Sequence, residues 1–450
     1  SNYPAVNNLL KHLDAAPSAQ VKIGVTDIDG VLRTKYLHRK KVISALQDGI
    51  GFCNVIFGWD SQDTPYDHPI HDPGYADSHV SLRPETIRRI PWENGTPFLL
   101  ADFADSDDPA SAACPRSLLR RVVAQAANMG FTARFGPEYE WFVYRETPDS
   151  LVAKDFRNLQ PLTPGMFGYS GLRTGMNADY FADLFGQLDR FGVELEGLHT
   201  ETGPGVLEAA ISHQPALEAA DRAVLFKQGV RQISYRHGLL ASFMAKPRTD
   251  LPGCGGHLHQ SLWRGGKNAF HDEAGAHGMS DIFKHYLAGQ LALLPNLLPL
   301  FAPTVNSYKR YVSGSWSATR CNWGIDNRTV ALRVIPGGPK GSRLETRVPG
   351  SDANPYLAIA AALAAGLYGI KNKLPLNLPP VTGSAYEQNI GALLPNNLGA
   401  AAGAMEAEGP HHDLLGKGFT EHFIKTRHWE WQRYQAAVTD WELKRYLEII

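Results

Sequence analysis

The sequence predicts an α+β protein of two domains, on three observations: helices and strands follow one another in mixed order with hairpin-like neighbours, the chain opens on a short β-rich stretch, and the composition shifts at an acidic, helix-capping cluster. Strand-like runs at 21–25 and 31–36 come first, then a loop rich in Pro, Asp and His between Trp59 and Asp77. Residues 1–112 are read as this small unit. The cluster Asp105-Ser-Asp-Asp-Pro109 leads into a helix whose apolar residues Leu118, Leu119, Val122, Val123 and Ala126 keep helical spacing and which stops near Gly130. The boundary therefore falls close to Cys114, and residues 113–450 form the larger domain. There, helices are expected over 177–191, 215–238, 280–298 and 354–373. Strands are expected over 131–145, 193–199, 206–212, 239–246, 256–263, 329–335 and 343–348, an order that does not fit a doubly wound sheet.

A chain of 450 residues, 43% hydrophobic and 20% charged, is long enough for a large core. Lys plus Arg number 44 against 45 Asp plus Glu, so no basic excess points to nucleic acid and the expected partners are small molecules or further copies of the chain. Cys53, Cys114, Cys254 and Cys321 are far apart and form no CxxC, which fits free thiols in a reducing cytoplasm. No apolar run approaches the roughly 18 residues of a membrane span, and no signal-peptide pattern opens the sequence.

Four segments carry chemistry. In Phe131-Thr-Ala-Arg-Phe-Gly-Pro-Glu-Tyr-Glu-Trp-Phe-Val-Tyr144, the strand period of two sets Glu138 and Glu140 on one face and Tyr139, Trp141 and Val143 on the other. An edge strand with one polar face has the same pattern. Glu201 and Glu208 bracket Thr-Gly-Pro-Gly-Val-Leu, whose tight turn brings two carboxylates to one place. Gly255-Gly-His-Leu-His-Gln-Ser261 sets His257, His259 and Ser261 on one face, as a pair of surface histidines also would. Finally, Arg328 to Arg333 and Lys340-Gly-Ser-Arg-Leu-Glu-Thr-Arg347 place Glu345 between the guanidinium groups of Arg343 and Arg347, which reads either as a salt-bridged solvent face or as a grip for phosphate and carboxylate oxygens. Together they supply the carboxylates, histidine and cations that phosphoryl transfer from ATP to a carboxylate requires.

In order along the chain, Glu138-Tyr-Glu140, Glu201-Thr-Gly-Pro-Gly-Val-Leu-Glu208, Gly255-Gly-His-Leu-His-Gln-Ser-Leu262, Asn306-Ser-Tyr-Lys-Arg310, Asn327-Arg328, Arg343-Leu-Glu-Thr-Arg347 and Ala353-Asn-Pro-Tyr-Leu357 resemble the successive motifs of bacterial-type glutamine synthetases. The resemblance is strong over about 130–370 and faint before it. It implies a β-grasp-like N-terminal domain and a catalytic domain built on a curved antiparallel sheet. It also implies two or three Mg²⁺ or Mn²⁺ ions per site, with Glu140, Glu201 and Glu208 holding one ion and Glu138, His257 and Glu345 another. Nucleotide contacts would come from His259, Ser261, Lys340, Arg343 and Arg333. Arg310, Arg347 and Gly253 would meet glutamate, and Arg328 would steady the transferred phosphoryl group. Assembly as a dodecamer of two hexameric rings, with sites shared between subunits, is implied likewise.

Three departures fall on the amine and amino-acid side. Trp316 stands where ammonium-using members carry a glutamate that takes a proton, six residues after the arginine of Tyr-Lys-Arg. Val55-Ile-Phe-Gly-Trp-Asp-Ser-Gln-Asp63 replaces the ammonium-binding Asp-Gly-Ser-Ser, and Pro252 replaces an asparagine beside Gly253. The metal and phosphate end is spared. The expected reaction is therefore that of the glutamate-amine ligases: γ-glutamyl phosphate forms and an organic amine displaces the phosphate. Phe57, Trp59 and Trp316 point to an apolar or aromatic monoamine, and Asp60 or Asp63 is the candidate base for one that arrives protonated. The alternatives are glutamine synthetase using ammonium and a non-catalytic member of the same fold. A third, a phosphatase nucleophile in Asp27-Ile-Asp-Gly, leaves 130–370 unexplained. His411-His412 reads as a solvated loop, and Met166 and Met176 as gap fillers.

Overall fold

The computed structural model describes residues 3–68, 70, 74–104, 108–312 and 317–450. Strand Gln20–Thr26 pairs antiparallel with Leu32–His38 and parallel with Thr96–Asp102. Asp77–Leu82 and Ile50–Cys53 continue the sheet beyond Thr96–Asp102, and Arg88–Ile90 also pairs with it. Gly30, at φ +83°, closes the first hairpin in a conformation that costs other residues energy. One sheet face buries Val21, Ile23, Val25 and Leu99 around Phe57 and Phe103; Phe98 and Leu100, on the other, join a core with Trp141, Leu188 and Phe226. Helices Tyr3–Asp14 and Arg39–Asp48 flank this sheet and were not expected. The second buries only Val42 and Ala45, too sparse a stripe to stand out in sequence.

Helix Pro115–Asn128 buries Leu118, Leu119, Val122 and Ala126 and ends before Gly130, as its pattern required. Asp108 caps the short helix Pro109–Ala113; Asp105 to Asp107 lie outside the described residues. The larger sheet runs in the order Trp323–Ile325, Leu332–Ile335, Arg343–Thr346, Gly256–Arg264, Thr132–Tyr144, Val206–Ile211 and Leu195–Thr200. All these neighbours are antiparallel except the first pair, which is parallel and departs from a wholly antiparallel sheet. Along Thr132–Tyr144, Tyr139, Trp141 and Val143 are buried and Glu138 and Glu140 face the opposite side. Trp141 meets Phe226 of helix Ala216–Arg236 edge-on at 5.5 Å.

Behind the sheet, helices Asp281–Phe301 and Pro355–Lys371 cross in close contact. A Cβ on Gly289 would stand 2.1 Å from the Ala365 carbonyl oxygen, so the helices approach this closely only because of glycine. Gly289→Ala is expected to cost about 1–3 kcal/mol by overpacking, read as a shifted urea midpoint at unchanged slope. A buried amide network ties these helices to the sheet. Tyr286 Oη and Gln290 Nε2 donate to Gln260 Oε1 at 2.6 and 2.8 Å, Gln260 Nε2 donates to Thr346 Oγ1 at 2.8 Å, and Thr346 Oγ1 donates to Gln290 Oε1 at 2.7 Å.

Some local expectations are corrected. The strand expected over 239–246 shrinks to Leu240–Ser242; at its far end Asn306, and not a neighbouring strand, takes both backbone groups of Lys246 at 2.8 and 2.9 Å. His411 is buried and its Nε2 contacts the Met405 carbonyl, while Met166 and Met176 are exposed, not packed. Among the described residues no helix is long and apolar enough to cross a membrane.

Candidate active site

Strand register assembles the site. His259 lies opposite Glu345, His257 opposite Glu138, Glu140 opposite Glu208, and Glu208 opposite His199. Because alternate side chains share a face, these pairs form one polar strip across the sheet, with the apolar core beneath it. The turn Gly203-Pro-Gly205 makes the last pairing possible: Gly205 has φ +70°, and a Cβ there would sit 2.5 Å from the Val143 carbonyl oxygen.

Two donor groups result, Glu138 with His259 and Glu345, and His199 with Glu201 and Glu208, each with its ligand atoms within 4.8 Å of one another. His259 Nδ1 accepts from Arg343 Nε at 3.0 Å, which leaves the ring proton on Nε2, facing Glu138. His257 Nδ1 lies 3.3 Å from Glu345. Glu345, 2% exposed, also meets Arg333 at 2.8 Å and Arg347. Burial pushes its carboxyl up, but His257, Arg347 and His259 outweigh this and hold it well below the usual range. Glu201 is held low by His199, 2.9 Å away.

The other two carboxylates are frustrated. Burial raises Glu140 to about 7 despite a 2.9 Å hydrogen bond from the Gly255 N–H. Burial together with the charges of Glu140, Glu138 and Glu201 pushes Glu208 up to about 11. Such a crowd of oxygen donors fits a hard divalent cation, which replaces the proton as the neutralising charge. Beside the first group, a cavity of about 300 Å³ is lined by Glu138, His259, Ser261, Trp263, Lys340 and Arg343. Ser261 Oγ there accepts from Trp263 Nε1 at 2.9 Å. A family model described as glutamine synthetase, catalytic domain, matches residues 112–446. The chain belongs to the glutamine synthetase family.

Among curated glutamine synthetase relatives, the type-1 glutamine synthetase 2 of Dictyostelium discoideum is 49% identical, covering 98% of this chain and 86% of that one. The glutamate–isopropylamine ligase of Pseudomonas sp is 34% identical, with 96% and 95% covered. A solved GmaS–ADP complex superposes with a TM-score of 0.85 at 30% identity, covering 98% and 99%. This member of the family is thus an ATP-dependent carbon–nitrogen ligase with the glutamine synthetase fold.

Within that family frame, the remaining expected residues fall as follows. Arg310 is buried, donates to the Val348 and Pro349 carbonyls at 3.0 and 2.9 Å, and packs so tightly on Gly253 that a Cβ there would meet its Cγ at 2.6 Å. Arg328 is exposed on a turn held by Asn327, which donates to the Gly383 carbonyl at 2.9 Å. His259, expected on the nucleotide, contacts Glu138, and His257, expected with Glu138 and Glu345, lies opposite Glu138 in register and contacts Glu345.

Asp60 is not joined to this cluster within the chain. Its carboxylate accepts from Gln62 N and Thr64 N at 2.9 and 3.0 Å and from Trp429 Nε1 at 3.1 Å; burial works against the charge, but these donors hold the pKa below the usual value. Asp63 pairs with Arg33 at 3.2 Å. Phe57 is fully buried in the N-terminal core and Trp59 lies under Arg33, so neither aromatic side chain faces the cluster. Trp316 lies outside the described residues. Asp27, the alternative nucleophile, is buried and caps its turn, accepting from Asp29 N, Val31 N and Arg33 Nε at 3.0, 2.9 and 2.9 Å. That geometry leaves no exposed nucleophile.

Two residues of the site went unnoticed in sequence. His199 stands two positions before Glu201, on the same strand face, and that spacing alone marks it. Tyr169 stacks on His199 with centroids 4.6 Å apart, its loop hung on Thr200 by the hydrogen bond from Tyr169 N to the Thr200 carbonyl at 2.8 Å.

Proposed function

We propose that this ligase joins the side-chain carboxylate of glutamate to an organic amine, an apolar or aromatic monoamine, at the cost of one ATP. The observation that carries the reading is Trp316, which puts an indole where ammonium-using members place a proton-accepting glutamate. In support, the exposed ring of Tyr169, stacked on His199, lies close to Glu201 and Glu208. The likeness to a glutamate–isopropylamine ligase points the same way.

Glu138 and Glu345 with His257 or His259, and Glu140, Glu201 and Glu208, are the proposed ligands of two or three Mg²⁺ or Mn²⁺ ions. Bound there, the ions offset the charge of the β- and γ-phosphates. His259, Ser261, Lys340, Arg343 and Arg333 flank the nucleotide. Gly253, Arg310 and Arg347 orient glutamate so that a side-chain oxygen attacks the γ-phosphorus and ADP leaves, while Arg328 meets the transferred group. The amine nitrogen then attacks the acyl carbon, phosphate departs, and the amine loses a proton. The proposal includes assembly into two hexameric rings in which Asp60, held ionised by its three N–H donors, approaches the amine from a neighbouring copy.

Phosphate release from ATP with glutamate and Mg²⁺ tests this across ammonium, isopropylamine, ethanolamine, benzylamine, aniline and putrescine. An apolar monoamine is expected to exceed ammonium at least tenfold in kcat/KM. Use of ammonium alone is the second reading, favoured by the 49% identity to a glutamine synthetase, and that result would replace the first.

A further inference from the structure

Away from the nucleotide pocket, a second cavity, of about 530 Å³, opens between the N-terminal hairpin and helix Ala216–Arg236. Lys227 and Arg231 stand one turn apart on that helix and both line it. Lys227 is buried; its Nζ donates to the Ser351 and Ala353 carbonyls and sits 4.8 Å from the Tyr139 ring. Arg231 lies over Phe243, 5.0 Å from the ring centroid, with no hydrogen-bond or ion-pair partner among the described residues.

Of the two carboxylates on the wall, one is neutralised by an arginine and the other keeps its charge and faces Lys227. Asp29 pairs with Arg427 at 2.8 Å, and Asp352 Oδ2 accepts from Thr304 and Ser307 at 2.8 and 2.6 Å. Two cations thus share the cavity with one un-neutralised carboxylate, Asp352, whose charge acts on Lys227, while the exposed Arg231 has no carboxylate partner among the described residues. Burial and the neighbouring Arg231 pull Lys227 down to about 7, and the charge of Asp352 offsets them only in part. An oxyanion beside Arg231 would supply the bidentate acceptor its fork lacks. The rest of the wall is apolar: Val31 and Leu32 from the hairpin, Leu240, Phe243 and Met244 from the facing segment.

The geometry points to a binding site for a small carboxylate with an apolar body, its carboxylate on Arg231 and its body against Phe243 and Val31. None of the residues proposed for catalysis lines this cavity, so the site is separate from the proposed active site.

Calorimetric titration of the full-length protein with phenylacetate tests the assignment, with ADP, Mg²⁺ and glutamate saturating so that the active site is filled. Saturable binding is expected, absent for the neutral isostere phenylacetamide and weakened at least tenfold in Arg231→Gln and in Val31→Asp, with ADP affinity unchanged in both. No saturable binding of phenylacetate, or equal binding by Arg231→Gln, overturns the site. Phosphate binding as tightly as phenylacetate overturns the apolar body. The titration needs no turnover, so it stands or falls separately from the choice of amine.

Discussion

Glu208→Gln is expected to lower amine-dependent phosphate release on the order of 10³-fold, about 4 kcal/mol of transition-state stabilisation, while making the metal-free protein more stable. The two effects share one cause. Glu208 faces Glu140 directly across the strand pair, and burial plus the charges of Glu140, Glu138 and Glu201 raise its carboxyl from 4.5 to about 11. A carboxyl that binds its proton more tightly folded than unfolded adds stability below its unfolded pKa and loses it as pH rises through the folded value. Metal-free wild type should therefore lose stability as pH climbs from about 4.5 toward about 11. Glu138, Glu201 and Glu345, shifted the other way, act only as pH falls below about 4.5.

Glutamine at 208 keeps the shape and removes the charge. Thermal melts between pH 6 and 9 without metal should show the variant at or above wild type, its advantage growing with pH. Added Mg²⁺ should stabilise wild type by mass action and the variant much less. Equal responses to Mg²⁺ would remove Glu208 from the metal ligands, and retained turnover would remove it from catalysis.

What sequence shows of this site is the face each residue occupies, because a strand's period of two is local. Glu138 and Glu140 separate from Tyr139 and Trp141 by that rule alone, and Gly203-Pro-Gly205 announces a turn. Register between strands is not local. It sets His257 directly opposite Glu138, yet the ring that contacts Glu138 is that of His259, on the same face, a choice of side-chain direction that no single segment reveals. The Gln260, Gln290 and Thr346 network joins residues up to 86 positions apart and leaves no pattern in any one segment. Phe57 shows the complementary failure: an aromatic side chain in a loop reads as pocket lining, yet Phe57 fills a core. Helix Arg39–Asp48 is hidden for another reason, since two buried residues among ten suffice when the sheet beside it supplies the rest of the core.

The same non-local pairing sets the second large effect, on stability. Arg116, 3% exposed, donates to both oxygens of Asp221 at 3.0 Å and to Asp102 at 2.7 Å. Asp102 ends a strand of the N-terminal sheet and also receives Arg83 at 2.7 Å, while Asp221, on helix Ala216–Arg236, also accepts from Tyr356. One guanidinium thus ties the N-terminal sheet to helices Pro115–Asn128 and Ala216–Arg236. Asp221→Ala strands Arg116 with half its partners and leaves the Tyr356 hydroxyl buried without its acceptor. Breaking one side of a buried pair costs about 3–5 kcal/mol, because the remaining charge stays desolvated. Denaturant unfolding should show that loss. Arg116→Met with Asp221→Leu, an apolar replacement of the pair, should recover part of it, since no unpaired ion then remains between them. A double variant no better than Asp221→Ala would mean that the contact with Asp102, and not the Asp221 fork, carries this tie to the N-terminal sheet.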